Sequence, residues 1–206
     1  RKGNCGNVNR FITMNTTTKY QIYPKYKPSG IDWLGDIPKG WEVKKLKRTI
    51  NPIESGGRET GGGNQLDEGV FSIGGEHIGW MGQLILDPPK YISQEYYISL
   101  NNGAIKQGDV LLVKDGATIG KLSHLNKMPF EKCAVNEHVF ILRGNKNIIE
   151  QRFLFYTLWS PIGQEQIKLE MKGAAQPGLS SDFSNLVYLS LPKLDIQKSI
   201  TDFLDR

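Results

Sequence analysis

Leu186-Val187-Tyr188-Leu189-Ser190-Leu191-Pro192-Lys193-Leu194-Asp195-Ile196-Gln197-Lys198-Ser199-Ile200-Thr201-Asp202-Phe203-Leu204-Asp205-Arg206 holds two kinds of structure on either side of one proline. Residues 186–191 read as a short strand, and Pro192, which has no amide hydrogen to give a sheet, closes it. Beyond it Ile196, Ile200, Phe203 and Leu204 recur at i, i+4, i+7 and i+8, the apolar stripe of an amphipathic helix, with Asp195 placed to cap its N-terminus. The stripe is still running at Arg206, so this helix is expected to belong to something larger.

Short strands between sharp punctuation recur upstream. Residues 41–47 read as an edge strand, and residues 70–73 and 109–113 as further strands, the last entered through the turn Lys106-Gln107-Gly108. Residues 133–142 read as one strand with Cys133, Val135, Val139 and Ile141 on one face and Glu137 interrupting it. Ile149, Phe153, Tyr156 and Trp159 take helical spacing, and Ser160-Pro161 breaks the pattern before a second helical segment over residues 162–172. Residues 1–24 read as a flexible tail, 25–30 as turn chemistry, 31–38 as a compact apolar clip and the Gly-rich stretch 55–64 as a mobile loop. The fold class expected is α+β: a single domain with a mainly antiparallel twisted sheet plus helices, ending in the start of a long helix.

The 206 residues are 38% hydrophobic and 23% charged, enough for one domain with a sizeable core. No apolar run is long enough to span a membrane, and the polar start carries no secretory signal, so a cytoplasmic protein is expected. Cys5 and Cys133 form no paired motif and read as free thiols. The net charge is +5 and the pI about 9.1, which favours a polyanionic partner. Residues 1–60 hold 12 Lys/Arg against 5 Asp/Glu, whereas residues 61–206 hold 14 against 16. Any anion-binding surface in the larger part must therefore arise by clustering in space.

The sequence carries no catalytic signature of the common kinds. His77, His124 and His138 lack metal-ligand spacing, and no phosphate loop or nucleophile elbow is present. Asp87-Pro88-Pro89 shares its first three residues with the D-P-P-[YF] motif of DNA amino-methyltransferases, but Lys90 stands where the base-stacking aromatic belongs. It reads as a turn. No catalytic residue, metal site or bound cofactor is assigned.

Four segments carry a resemblance. Lys27-Pro28-Ser29-Gly30-Ile31-Asp32-Trp33-Leu34-Gly35-Asp36-Ile37-Pro38-Lys39-Gly40-Trp41-Glu42-Val43 is the first. Lys106-Gln107-Gly108-Asp109-Val110-Leu111-Leu112 with Asp115-Gly116-Ala117-Thr118-Ile119-Gly120-Lys121 is the second. Gly173-Ala174-Ala175-Gln176-Pro177-Gly178-Leu179-Ser180 is the third, and Leu191 to Asp205 is the fourth. In this order they resemble the target-recognition domain of type I restriction-modification specificity subunits, over nearly the whole chain. Lys193 and Ile196 depart from that family's frequent Pro and Glu.

The resemblance implies a non-catalytic subunit in which residues 25–192 read one half of a split double-stranded DNA site and residues 193–206 begin a spacer helix. It implies methylation subunits, and through them restriction subunits, as partners, with S-adenosylmethionine, ATP and Mg on those partners. Reading duplex DNA needs cations for phosphates and basic or amide groups for base edges. Arg58, Lys114, Lys121, Lys172 and Gln176 are the expected DNA contacts, with Lys114 and Lys121 flanking the Asp115-Gly116 turn as a clamp. Ile196, Ile200, Phe203 and Leu204 are the expected docking stripe, which also offers a route to self-association. Plain readings stand beside these: Lys44, Lys45, Lys47 and Arg48 suit protection of a sheet edge, Gly108, Gly116 and Gly120 suit backbone geometry, and Trp33 and Trp41 suit core or docking positions. The alternative function is a structural or protein-docking module that uses the terminal helix.

Overall fold

A computed structural model describes residues 23–59, 66–171 and 178–206. Two compact units are present, Arg1–Lys39 and Gly40–Arg206. In the first, β1 (Tyr26–Pro28) and β2 (Asp36–Pro38) form an antiparallel hairpin with Lys27 opposite Ile37. The stretch read as turn and clip is thus a two-stranded ribbon, and Trp33 at its tip is 53% exposed, not a core residue.

The second unit runs β3 (Glu42–Lys45), β4 (Glu54–Ser55), β5 (Val70–Ile73), β6 (Tyr91–Ile92), α1 (Gln94–Ser99), β7 (Val110–Val113), β8 (Leu122–His124), β9 (Cys133–Val135), β10 (Val139–Leu142), α2 (Gln151–Trp159), α3 (Pro161–Leu169), β11 (Tyr188–Leu191) and α4 (Leu194–Leu204). The order β4-β10-β7-β8 makes a four-stranded antiparallel sheet. The order β6-β5-β9 makes a second sheet, in which β5 and β9 are parallel. β11 pairs with β3. The architecture is α+β with mainly antiparallel sheets.

The four-stranded sheet is buried on both faces, and the parity of its residues sorts them. Val110, Leu112, Phe140 and Leu142 face one core with Phe153, Leu154 and Leu158 of α2 and Leu189 and Leu191 of β11. Leu111, Val113, Val139 and Ile141 face a second core with Phe71, Ile73, Cys133 and Val135 of the β5–β9 pair. Residues 133–142 are therefore two strands in two sheets, not one: Asn136-Glu137-His138 separates them. The four residues expected on one face nevertheless do share a core. The central strands read as unbroken apolar runs because neither face meets water.

A largely buried ion pair closes the end of this sheet where β7 begins and β10 stops. Arg143 presents Nε to Asp109 Oδ1 at 2.7 Å and Nη2 to Asp109 Oδ2 at 2.8 Å, and its Nη1 reaches Glu54. Asp109 also accepts from the Lys106 amide at 2.8 Å, which holds the turn that launches β7. The hydrogen bonds from Asp109 push the Arg143 pKa further up.

Helix boundaries follow local chemistry. Ser160 ends α2, and its Oγ accepts from the Gly163 amide at 3.1 Å to cap α3, with Pro161 at the first position. At α4 the N-cap is Lys193, which makes no side-chain cap; Asp195, expected there, lies inside the first turn. Gln197, fully buried, holds the helix start instead: its Oε1 accepts from the Glu150 amide at 2.8 Å and its Nε2 donates to Ile148 O at 3.0 Å and Pro192 O at 2.9 Å. The buried face of α4 is thus Gln197 and Thr201, and of the apolar stripe only Ile200 packs against the core.

Asp109→Ala is expected to cost about 3–5 kcal/mol, because it leaves a largely buried guanidinium short of its carboxylate; a urea-unfolding loss below 1 kcal/mol would refute the role given to this pair. Gln197→Ala is expected to destabilise by about 1–3 kcal/mol for each buried group left unpaired, with amide exchange in α4 rising first.

Candidate nucleic-acid interface

Strand pairing brings one set of loops to a single end of the central sheet. Val139 opposes Val113, Phe140 opposes Ser55, and the Val113 amide donates to Lys121 O. The loops after β4 and β7, and those before β8 and β10, therefore start side by side. These loops carry Arg58, Lys114, Lys121, Glu137 and His138.

The linker Asn136-Glu137-His138 is pinned by the backbone around it. The Asn136 amide donates to Ile73 O at 3.0 Å, the Lys114 amide to His138 O at 2.9 Å, and Ser55 Oγ to Val139 O at 3.0 Å. On this support a chain of charged groups is strung. Lys114 Nζ lies 3.0 Å from Asp115 Oδ2; Asp115 Oδ1 meets His138 Nδ1; His138 Nε2 lies 3.2 Å from Glu137 Oε1. Glu137 Oε1 in turn accepts Arg58 Nε at 2.6 Å and pairs with Arg58 Nη2. The Arg58 side chain is 71% exposed.

Two expected contacts are thereby linked through acidic groups that the sequence reading passed over. The interruption of strand alternation at Glu137, beside a histidine, was the available signal for them. Lys121 is held elsewhere: its ammonium lies 5.6 Å from the ring centre of Trp80, whereas Lys114 lies 5.6 Å from that of Phe140. The two lysines address different rings. Lys172 and Gln176 lie outside the described residues. Gly178, just after them, bridges Asp115, and the Leu179 amide donates to Lys114 O at 2.6 Å.

Glycine has two distinct uses here. Gly116, with φ +79°, turns the chain through a conformation other residues resist. Gly56, at the start of the Gly-rich stretch, lets backbone approach backbone: a Cβ there would lie 1.7 Å from Val135 O. The close approach this glycine serves is internal packing.

Beside Arg58 opens a cleft of about 440 Å³, lined by Arg58, Glu76, Lys90, Tyr91, Asn136 and Glu137 among others. Both of its cations are paired, Lys90 with Glu76 and Arg58 with Glu137, and a third carboxylate of the lining, Glu59, accepts from the Ser93 amide and hydroxyl. His77 is buried, with Nδ1 accepting from the Gly74 amide and Nε2 donating to Pro88 O, both at 2.9 Å. Burial lowers the His124 pKa and raises that of the free Cys133 thiol; Cys5 lies outside the described residues. Among the described residues no cluster suited to a metal ion occurs, and no helix is long and apolar enough to cross a membrane. Of the basic run at the start, Lys44 pairs with Glu42 at 2.9 Å and Lys45 covers the Tyr188 ring, as a protected strand edge requires.

Away from these loops, α4 exposes Ile196, Phe203 and Leu204. Its end is tied to α2 by Arg152, which reaches Asp202 at 2.9 Å and Asp205 at 2.6 Å. Tyr156 donates its hydroxyl to Asp205. Desolvation and that bond push the Tyr156 pKa up to about 12, and the Tyr156 and Arg152 bonds hold Asp205 below its ordinary value.

A family model described as "Type I restriction modification DNA specificity domain" matches residues 38–206. The type I restriction enzyme MjaVIII specificity subunit of Methanocaldococcus jannaschii is 24% identical over 212 residues, which takes in 97% of this chain and 48% of that protein. Among solved structures, the HsdS subunit of Thermoanaerobacter tengcongensis matches with a TM-score of 0.60 at 20% identity, over 87% of this chain and 39% of that one. The type I restriction-modification S subunit of M. genitalium matches with a TM-score of 0.52 at 14% identity, over 80% and 38%. The chain spans about half the length of the curated relative. The solved structures share its fold.

Asp205 is ionised more readily in the folded chain, so its contribution is complete above the ordinary value of 3.8 and is lost as pH falls below it. Amide exchange, corrected for intrinsic rates, is expected to show α4 losing protection below about pH 4 before β7 does, and Asp205→Asn to remove that acid sensitivity. Equal loss in α4 and β7 would rule out a local tether.

Proposed function

The chain belongs to the type I restriction-modification DNA specificity domain family, and from that membership we propose that it reads one half of a split double-stranded DNA site and directs partner subunits to it. The observation that carries the reading is the gathering of cation-bearing loops at one end of a rigid sheet, with Arg58 exposed among them. Duplex DNA rewards such an arrangement through phosphate contacts and the counterions they release. Glu137 occupies one side of the Arg58 guanidinium, so the group meets DNA without breaking that pair. Lys114 and Lys121 extend the surface, and Lys172 and Gln176, which lie outside the described residues, are the further contacts proposed.

In this reading the chain is the non-catalytic part of the complex and acts in the cytoplasm. Methylation subunits bind it, restriction subunits join through them, and S-adenosylmethionine, ATP and Mg belong to those partners. The exposed residues Ile196, Phe203 and Leu204 favour a second role for α4, as the face that meets a partner helix or a methylation subunit, with self-association as its form in isolation.

Methylated adenines mapped after expression of the full-length subunit with its methylation subunits test the reading. Exchange of residues 25–192 for the corresponding part of another subunit is expected to change one half of a split motif and leave the other half alone. An assembled complex whose motif survives the exchange unchanged would reduce this chain to a docking module.

A further inference from the structure

We infer that Arg58 reads a guanine, and that Glu137, oriented by His138 and Asp115, is the positioning residue that makes it base-selective. The inference rests on the DNA-reading role proposed above and names the chemistry of one contact within it.

A guanidinium has two edges able to make paired hydrogen bonds. In Arg58 the edge formed by Nε and Nη2 is taken by Glu137 Oε1. At the opposite end Nη1 has no partner among the described residues, Nη2 carries a second hydrogen beside the one facing Glu137, and the side chain is 71% exposed. Such a group offers two parallel donors in a fixed plane, which matches O6 and N7 of guanine in the major groove. An unrestrained arginine on a loop would meet phosphates as readily as bases. The carboxylate changes that balance in two ways: it fixes the plane of the fork, and its negative charge repels a phosphate brought up beside it.

The support behind Glu137 is continuous. His138 Nε2 lies 3.2 Å from the same Oε1, and its Nδ1 meets Asp115, whose second oxygen is 3.0 Å from Lys114 Nζ. The linker carrying Glu137 and His138 is fixed at both ends by the backbone bonds to Ile73 and Lys114. Of the members of the chain, Arg58 is the one that stands mostly in solvent. The position of the fork is therefore set by the sheet and transmitted through side chains to a loop that would not hold it alone.

The test uses the full-length subunit assembled with its methylation subunits, once the methylation map has given the half-site. Duplexes in which each G·C pair of that half-site is changed singly to A·T are compared by competition binding. Wild type is expected to lose about 10- to 100-fold at one guanine. Arg58→Ala is expected to bind the native site that much more weakly and to be indifferent to the change at that guanine. Glu137→Gln is expected to narrow the discrimination there while its binding to unrelated duplex is unchanged or stronger. Matching thermal midpoints establish that the variants are folded.

Loss of affinity on Arg58→Ala that is even across all duplexes, with a salt slope lowered by about one, would make Arg58 a phosphate contact and overturn the inference. So would a half-site without a guanine, an Arg58→Ala variant that keeps its preference, or full discrimination in Glu137→Gln. Absence of any split motif from an assembled complex would instead remove the DNA-reading role itself.

Discussion

Val110-Leu111-Leu112-Val113 and Val139-Phe140-Ile141-Leu142 lie against one another with no side chain left for water, even-numbered residues of each strand facing the helices and odd ones the second sheet. A slip of one residue would send each side chain into the wrong core, so the register of this pair is among the most strongly specified features of the chain. The consequences spread outward from it. α2 and β11 have a surface to pack on, the β5–β9 pair has another, and the Arg143–Asp109 bond can form only when the turn before β7 and the end of β10 arrive together. That bond then satisfies charges which burial would otherwise penalise heavily.

Because the register is fixed, so is the place where each loop departs. The polar chain from Lys114 to Arg58 lies across the end of the sheet, and its members belong to loops far apart in sequence. In this arrangement the charged groups are side chains on short tethers, held in advance by neighbours of opposite charge. The cleft next to Arg58 pairs both of its cations with carboxylates and adds Glu59, which keeps the local field from attracting anions indiscriminately.

The legible parts of the fold were those in which periodicity and punctuation agreed. The helices α2 and α4 and the strand β7 were readable for that reason. The division of residues 133–142 was not, because the apolar pattern continues across a change of sheet and only Glu137 marks it. Strands of two or three residues such as β4, β6 and β8 carry too few side chains to show a period. In the site, Arg58 and Lys114 were found as cations in turn-rich segments, but Asp115, Glu137 and His138 were not, since what makes them part of the site is contact across the fold. Gln197 illustrates the same limit: inside an amphipathic pattern a glutamine reads as surface, whereas here it is buried because three backbone groups need it.

Those three groups have one property in common: all belong to the main chain, at Glu150, Ile148 and Pro192. The joint at the start of α4 is thus a socket whose chief polar contacts ask of the body a backbone shape and not particular side chains. Bodies of divergent sequence can seat the same helix in the same direction, provided the strand-to-helix corner keeps its course. Change on the surface of the body and constancy in how the helix is mounted are therefore separable at Gln197.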